Sequence, residues 1–426
     1  AGGRPVRAAR ALTSDPRKGA PKNRSAHFFF KLGLLAMPAL LTHAAPYIPE
    51  SNDEILERLP QRPGAALELT HLRSQLAESP KNLDLALTLA RRYIVQARAE
   101  SDPRYLGYAE AALKPWWDLI EPPVNVLVLR ATLKQSVHNF DGALDDLALA
   151  LKRDPRNVQA WLTRATVLQV QGKYAEALAN CDRLRTVAPQ WIDIACAANV
   201  ASLSGRAKQS YDSLLSLTSV PGSHKSWVET SLAEITERLG EDSKAEAHYE
   251  AAVKAGDAYA KGAYADFLLD RKRYAEVAAL LNGETRADAL LLRLALAEHT
   301  LGDTNAKQRV DALSARFAAS RMRGDRVHLR EEARFTLHLL QRPKEALALA
   351  QENWQVQREP ADARILLEAA LAAGDSKAAA PVLQWLKETG LEDVRIAPLV
   401  ARLRGQVQGR ATDHSIPLDG GGLGRG

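Results

Sequence analysis

Two adjacent segments of this chain repeat one residue pattern at a spacing of 34 residues. The matched pairs are Leu127 and Trp161, Ala131 and Ala165, Phe140 and Tyr174, Ala143 and Ala177, and Pro155 and Pro189. A fixed period of about 20–50 residues is typical of stacked units that bury their apolar faces only against their neighbours. The spacing therefore predicts one repeat array rather than several separate globular domains.

The residue types at the repeated positions indicate pairs of helices. Small residues such as Ala131 and Ala143 let two antiparallel helices approach closely, and large residues such as Phe140 fill the gap between pairs. Gly172 allows a turn between helices, and Pro155 stops the second helix. Aromatic residues make up only 6% of the chain, and Val/Ile-rich alternation is absent, which favours helices over strands.

In the order of these residue types the chain resembles the tetratricopeptide-repeat (TPR) family, whose unit is a 34-residue helix–turn–helix. Segment 158–190 carries the family pattern at Trp161, Ala165, Gly172, Tyr174, Ala177 and Pro189. Cys181 stands where a large aromatic residue is usual, and Lys134 stands where segment 124–157 should have an apolar residue. The resemblance implies an all-α fold, a right-handed superhelical solenoid of antiparallel helix pairs.

Weaker copies of the pattern extend the array in both directions, with degenerate segments at 191–222, 258–287 and 288–322. We expect about nine repeats, clearest at 124–190. The predicted organisation is a basic leader with a signal peptide at 1–45, an extended arm at 46–63, an N-terminal capping helix at 64–82, the solenoid at 83–392, a C-terminal capping helix at 393–404 and a disordered Gly-rich tail at 405–426.

The leader has the layout of a secretory signal peptide. A basic stretch precedes the apolar run Leu32 to Leu41, and small residues follow, which predicts cleavage after Ala44 or, alternatively, after Ala45. The expected location is then periplasmic or secreted, in a bacterial-type envelope. An uncleaved membrane anchor and a cytosolic protein are the alternatives, although this run is short for about 30 Å of hydrocarbon.

The charge distribution argues against a nucleic-acid partner. The whole chain has a formal charge of +6, but residues 1–45 hold eight Arg or Lys against Asp15 alone, which leaves −1 for the rest. The predicted solenoid therefore lacks the basic stripe of a nucleic-acid binder. Membrane association is expected only through an uncleaved leader.

Motifs that carry catalytic or metal chemistry are missing from the sequence. It contains no GxxxxGK[ST] loop, HExxH or CxxC pair, and no GxSxG turn between a strand and a helix. His328, Glu331 and His338 share one helical face, but a solvated polar stripe explains them as well as a metal site does. We therefore predict no enzyme activity, no metal site and no cofactor.

The two cysteines fall on helices that pack together in the repeat frame. Cys181 lies on the second helix of one repeat and Cys196 on the first helix of the next. In an oxidising compartment the two could form a disulfide; the alternative is a pair of small buried apolar residues.

Resemblance to the TPR family places positions 2, 5, 9 and 12 of each repeat on the concave face. The candidate protein-binding groove is therefore Arg91, Asn125, Val128, Thr132, Gln135, Gln159, Leu162, Thr166, Gln169, Trp227, Thr230 and Glu234. The predicted function is an exported, non-enzymatic scaffold or adaptor that binds a protein or peptide in this groove. The alternatives are an accessory protein for envelope assembly, secretion or exopolysaccharide export, and a metal-binding protein or enzyme without a recognisable motif.

Overall fold

The computed structural model describes residues 64–413 except residue 101 and residues 256–257, and these described residues fall in one compact unit, 62–426. The predicted leader and arm lie outside them. Within this part the chain forms helices and no strands. The α-helices are α1 Gly64–Glu78, α2 Leu83–Glu100, α3 Arg104–Trp117, α4 Val124–Ser136, α5 Phe140–Arg153, α6 Val158–Val170, α7 Tyr174–Leu184, α8 Gln190–Ala201, α9 Ala207–Leu215, α10 Lys225–Arg238, α11 Asp242–Lys254, α12 Ala258–Asp270, α13 Tyr274–Leu280, α14 Asp288–Leu301, α15 Ala306–Met322, α16 Leu329–His338, α17 Pro343–Val356, α18 Pro360–Ala373, α19 Ala380–Thr389 and α20 Ala397–Asp413.

Consecutive helices pack as antiparallel pairs, from α2 with α3 to α18 with α19. The described residues thus contain nine pairs between Leu83 and Thr389, which confirms the predicted all-α solenoid. The degenerate segments also form pairs, α8–α9, α12–α13 and α14–α15. These segments depart from the 34-residue spacing because large and small side chains can still pack between two helices when one helix is longer or shorter.

The repeated residues occupy the contacts that their types predict. Ala131 and Ala143 are fully buried where α4 meets α5, and Leu127 and Phe140 are buried beside them. Pro155 separates α5 from α6. Local residue choice therefore determines each helix pair through close helix–helix approach.

A residue with positive φ recurs at the turn inside most pairs. These residues are His138, Gly172, Gly205, Gly240, Lys272, Gly302, Gln341 and Gly374, with φ between 55° and 78°. The left-handed conformation satisfies carbonyl groups at the end of the first helix and reverses the chain. The same turn geometry therefore appears on one edge of the solenoid from α4 to α18.

Lys134, the departure from the family pattern, belongs to a buried ion network. The Asp146 carboxylate lies 2.8 Å from Lys134 Nζ and accepts two hydrogen bonds from Arg130, at 2.6 and 2.9 Å. The Arg130 guanidinium also lies 5.8 Å from the Trp117 ring centroid. Paired charges thus replace the expected apolar contact between α4 and α5, and Trp117 closes the preceding repeat.

The array winds back on itself, so that the C-terminal repeats lie against the turn edge of earlier ones. The backbone N–H of Arg358 donates to the Val170 carbonyl at 2.8 Å, and Val394 N–H donates to the Arg238 carbonyl at 3.0 Å. We call this line of contacts, from Arg286 with Glu100 to Val394 with Arg238, the inter-coil seam.

Glycines at two seam turns let the coils approach closely. A Cβ at Gly172 would lie 3.0 Å from Trp385 Nε1, and a Cβ at Gly205 would lie 3.2 Å from the Gly390 carbonyl oxygen. Beneath the seam, one apolar core combines residues of α6–α8 with residues of α16–α20, including Trp385. The seam is therefore a packed interface along its C-terminal part.

The C-terminal end differs from the prediction. Helix α20 begins at Ala397 and continues to Asp413, so part of the segment predicted as a disordered tail from 405 is helical. Glycine at 405 lowers helix propensity by about 1 kcal/mol, which does not outweigh the helix-favouring residues around it. Across residues 64–413, apart from the three omitted positions, no helix has the length and hydropathy needed to span a bilayer.

Candidate functional site

The inner face of the coil lines a partly open cavity of about 2100 Å³. Its lining runs from Ala97 in α2 to Arg395 after α19, with most residues supplied by α12, α14, α16 and α18 and by the loop between α15 and α16. These helices are the first members of their pairs, and each presents one face to the cavity. The cavity is thus a consequence of solenoid curvature.

The lining is highly charged but nearly balanced. Among the described residues it contains eleven arginines, no lysine and ten aspartates or glutamates. Arginine is well suited to such a surface because its planar guanidinium pairs with carboxylates through two hydrogen bonds. The arrangement gives the wall fixed charges of both signs.

Asp266 of α12 lies between two arginines of other helices. Arg293 of α14 and Arg334 of α16 both donate hydrogen bonds to its carboxylate. Burial opposes ionisation of this group, but the two guanidinium groups outweigh burial and hold the pKa of Asp266 well below its usual value. The carboxylate is therefore ionised and held in place.

One turn further along α12, Asp270 pairs with α18. Arg364 donates to the Asp270 carboxylate at 2.7 Å through Nη2 and to Glu368 at 2.7 Å through Nε. His338 Nε2 lies 3.0 Å from the other Glu368 oxygen. Burial again opposes ionisation, but these hydrogen bonds prevail and lower the pKa of Glu368 to about 2.

A second carboxylate group surrounds Arg330 at the start of α16. Arg330 Nη1 lies 3.1 Å from Glu359 and 3.4 Å from Asp362, which form the capping box of α18. Burial and the charge of Asp362 raise the pKa of Glu359 to about 7, despite Arg330. Nearby, the Tyr259 hydroxyl donates to Glu234 at 2.7 Å, and Tyr259 is 63% exposed toward the cavity.

His138 lies where the cavity meets the seam. It has φ of 59° at the α4–α5 turn, and its ring lies 3.1 Å from the Gln357 amide nitrogen. Burial, together with the positive charge of Arg330, lowers the pKa of His138 to about 4. Its imidazole is therefore neutral at pH 7 and can accept the amide hydrogen bond.

The predicted groove residues do not form one surface. Gln169 and Glu234 line the cavity, whereas the other ten predicted residues do not. Three of these, Val128, Thr132 and Thr230, are buried and so are not available to a partner. The buried positions do not fit a groove, because Val128 packs in the core of α4–α6 and the hydroxyls of Thr132 and Thr230 donate to carbonyls of their own helices.

The remaining seven groove residues are exposed or partly exposed outside the cavity. They are Arg91, Asn125, Gln135, Gln159, Leu162, Thr166 and Trp227. Leu162 packs against the core beneath the seam, and the Trp227 ring meets the Trp191 ring edge-on at 6.4 Å. Whether any of them contacts a partner stays a prediction.

The other residues singled out in the sequence have structural partners. His328 precedes α16, Glu331 pairs with Arg330, and His338 pairs with Glu368. No group of three metal-ligating side chains occurs in the described part of the chain. Cys181 and Cys196 are joined as a disulfide between α7 and α8.

Of the cavity charges only Glu234 was predicted, because the repeat positions taken from the family do not fall on the others. A signal was nevertheless present in the sequence. Asp266 and Asp270 lie four residues apart on one helix, as do Arg330 and Arg334 on another, so each pair occupies one face. An acidic face on α12 and a basic face on α16 would have indicated that these two faces contact each other.

The fold defines the chain as an α-solenoid of TPR-like helix pairs. No protein-family model matches the sequence, and no curated protein matches it either. Solved structures with a similar arrangement have low sequence identity and low TM-scores, so the fold assignment rests on the helix pairs of this chain.

Three of these structures illustrate the likeness. Human IFIT1, solved as a dimer with PPP-AAAA, has 14% identity and a TM-score of 0.41, over 83% of this chain and 88% of that one. The anaphase-promoting complex assembly Cut9–Hcn1 has 12% identity and a TM-score of 0.37, over 82% and 89%. A tetratricopeptide repeat protein from Parabacteroides merdae has 12% identity and a TM-score of 0.23, over 80% and 92%.

Proposed function

We propose that this protein is a non-enzymatic binding protein that holds a segment of a partner protein inside the cavity of the coil. The observation that carries the proposal is the size and lining of the cavity. Its volume of about 2100 Å³ exceeds the roughly 300–1,000 Å³ of pockets for small molecules. A polymer segment is therefore a better match to the space than a single small ligand.

The charge of the lining favours a polypeptide over a nucleic acid. In the described part of the lining eleven arginines stand against ten carboxylates, whereas a phosphate backbone requires a clear surplus of cations. A protein segment carries side chains of both signs and can pair with both. Backbone amides of such a segment can also bond the carboxylates and the Tyr259 hydroxyl.

Preorganisation is the physical source of affinity in this proposal. The pairs of Asp266 with Arg334 and Asp270 with Arg364 already hold the charged groups in position. Binding then requires little reordering of the wall, which lowers the entropic cost of association. Exposed apolar surface at Val137 and Tyr259 supplies anchors for apolar side chains.

A Tyr–His–Glu row outside the cavity does not support an enzyme. His248 lies 3.3 Å from the Tyr211 hydroxyl and 2.7 Å from Glu229. This geometry resembles a nucleophile with its base, but Tyr211 is buried in the core of α8–α10. A buried phenol cannot meet a substrate, so we interpret the row as a structural hydrogen-bond chain.

The test is a peptide selection on the full chain, followed by affinity measurements on two variants. Peptides from a displayed random library are selected on the immobilised protein, and their dissociation constants are measured by fluorescence anisotropy. Val137 lines the cavity and Val95 does not, yet their exposures are 55% and 56%. Val137→Trp should weaken binding by about tenfold or more, because the indole takes space in the cavity, while Val95→Trp should have no effect.

The outcome that would contradict the proposal is equal binding by both variants and the wild type, since the peptides would then contact another surface. Thermal unfolding of both variants provides the control, because a comparable midpoint shows that the tryptophan has not disrupted the coil. Failure to select any peptide would also count against a protein segment as the occupant.

Export to an oxidising compartment is part of the proposal. The leader pattern supports it, and the bond between Cys181 and Cys196 is of a kind that persists in oxidising compartments. N-terminal sequencing of the protein recovered from the periplasm or medium should give a start at Ala45 or Pro46. Recovery of the intact leader in the cytosol, with two free thiols on alkylation, would contradict export.

A further inference from the structure

The N-terminal end of the inter-coil seam consists of ion pairs between an exposed arginine and two less exposed carboxylates. Arg286, in the α13–α14 loop, lies 3.2 Å from Glu100, the last residue of α2, and 3.9 Å from Asp102, in the turn that follows it. The Arg286 side chain is 67% exposed, whereas the Glu100 and Asp102 side chains are 30% and 10% exposed. The loops that meet here are therefore joined by ion pairs that water reaches from the arginine side.

Apolar packing does not reinforce this end of the seam. The buried cluster around α2 and α3 draws its described members from residues 69–133, and none comes from α13, α14 or the loop between them. At the other end, by contrast, α6–α8 share one core with α16–α20. The seam thus changes along its length from charged and exposed to apolar and buried.

The cavity lies directly behind the charged end. Ala97, Arg98 and Pro103 line it on one side, and Arg286, Ala287 and Asp288 line it on the other. Separation of the two loops would therefore open the cavity wall sideways. Such a lateral opening would admit an internal segment of a partner protein without threading its two flanking chains along the axis of the coil.

We infer that this end of the seam is the entrance to the cavity, and that it opens when the ion pairs of Arg286 break while the rest of the seam stays closed. The inference rests on the proposed function for its physiological use, but the opening itself can be measured without a partner. Because Arg286 is exposed to solvent, salt should promote opening by screening its charge.

The experiment measures how fast a thiol inside the cavity reacts. Val137→Cys places one thiol in the cavity of the full chain, and Val95→Cys places one of similar exposure outside it. Each is labelled with N-ethylmaleimide and with a maleimide on a long polyethylene-glycol chain. In the wild-type background the polymer reagent should be slowed at position 137 relative to position 95, after both rates are normalised to N-ethylmaleimide.

Charge reversal at the seam should remove part of that difference. Arg286→Glu faces Glu100 and Asp102 with a like charge, and we expect the normalised polymer rate at position 137 to rise about threefold to fivefold. Adding Glu100→Arg to Arg286→Glu should return the rate toward that of the wild type. Raising the salt concentration should increase the normalised polymer rate at position 137 in the wild-type background. The rate at position 95 should not change.

Two results would contradict the inference that this end of the seam is the entrance. One is a polymer rate at position 137 equal to that at position 95 in the wild type, since the cavity would then be open elsewhere. The other is a rate that neither Arg286→Glu nor salt changes, since the seam would then not control access. If gating is observed but no selected peptide binds, the entrance stands and the proposed function fails.

Discussion

The two ends of the inter-coil seam join the same kinds of element by different physical means. At the C-terminal end, Trp385 is 5% exposed, its ring centroid lies 6.2 Å from that of Tyr174 across the seam, and Val394 donates a backbone hydrogen bond to Arg238. At the N-terminal end, the exposed Arg286 side chain reaches Glu100 and Asp102 through ion pairs. One end is joined by buried aromatic groups and the other by charges of which the arginine is open to water.

This difference indicates that one region of a solenoid can hold the coil closed while another region allows it to open. Burial of large aromatic side chains stabilises by several kcal/mol, whereas exposed ion pairs contribute about 0–1 kcal/mol each. The apolar end should therefore persist under all conditions that keep the protein folded. The charged end should respond to salt and to substitution without unfolding.

Truncation of Trp385 should have the largest effect on stability. Trp385→Ala removes the aromatic group that contacts Trp354 and Tyr174 and lies against Gly172, and we expect a loss of about 3–5 kcal/mol in the free energy of unfolding. Trp385→Phe keeps a ring and should lose clearly less. Denaturant unfolding followed by circular dichroism measures both; a loss below about 1 kcal/mol for the alanine variant would mean that the apolar seam does not hold the coil closed.

Two turn glycines separate the cost of backbone strain from the cost of seam contact. Gly172 and Gly302 have φ of 75° and 69°, but a Cβ at Gly172 meets Trp385 and Arg358, whereas a Cβ at Gly302 meets nothing within 4 Å. Alanine at either site should cost about 1–2 kcal/mol for the left-handed conformation. Gly172→Ala should cost about 1–3 kcal/mol more through overpacking; equal losses for the two variants would contradict close seam packing.

Acid should weaken the middle of the seam through His138. Its pKa is lowered to about 4 in the folded protein from 6.5, so its contribution to stability is present above pH 6.5 and is lost as the pH falls toward 4. Protonation places a positive charge beside Arg330 and His328, although Asp325 and Glu331 partly offset it.

His138→Asn tests this dependence, because asparagine tolerates positive φ and does not titrate. The variant should lose less stability than the wild type between pH 6.5 and 4, measured by denaturant unfolding across that range. His71→Asn, at an exposed histidine of α1, is the control. An identical pH profile for His138→Asn and the wild type would exclude His138 as the acid-sensitive group.

The smallest stability change is expected at the charged end. Arg286→Ala removes both ion pairs and should lower the free energy of unfolding by about 1 kcal/mol or less, because Arg286 is exposed and Asp102 keeps its hydrogen bonds from Arg104. The loss should shrink further at high salt. A loss comparable to that of Trp385→Ala would show that this end contributes strongly to the free energy of unfolding. That result would contradict an entrance there.

The sequence pattern predicted the helix pairs but not most of the residues that line the cavity. Ala131, Ala143 and Phe140 act within one repeat, so their types predict the local packing that the structure contains. The predicted groove does not fit Val128, Thr132 and Thr230, because these side chains are buried in the local packing of their helices. Arg334 reaches Asp266 from 68 residues away, which is two repeat periods, so a pattern read within one repeat does not show this contact.

The sequence by itself determined the unit, since the spacing of small, large and turn-forming residues specifies antiparallel helices through contacts between near neighbours. Only the tertiary structure decided where the coil closes, which charges face the cavity and which end of the seam is exposed. The physical reason is that small rotations between successive repeats accumulate over the whole array. Their sum, and not any single repeat, brings Arg286 to Glu100 and Trp385 to Gly172.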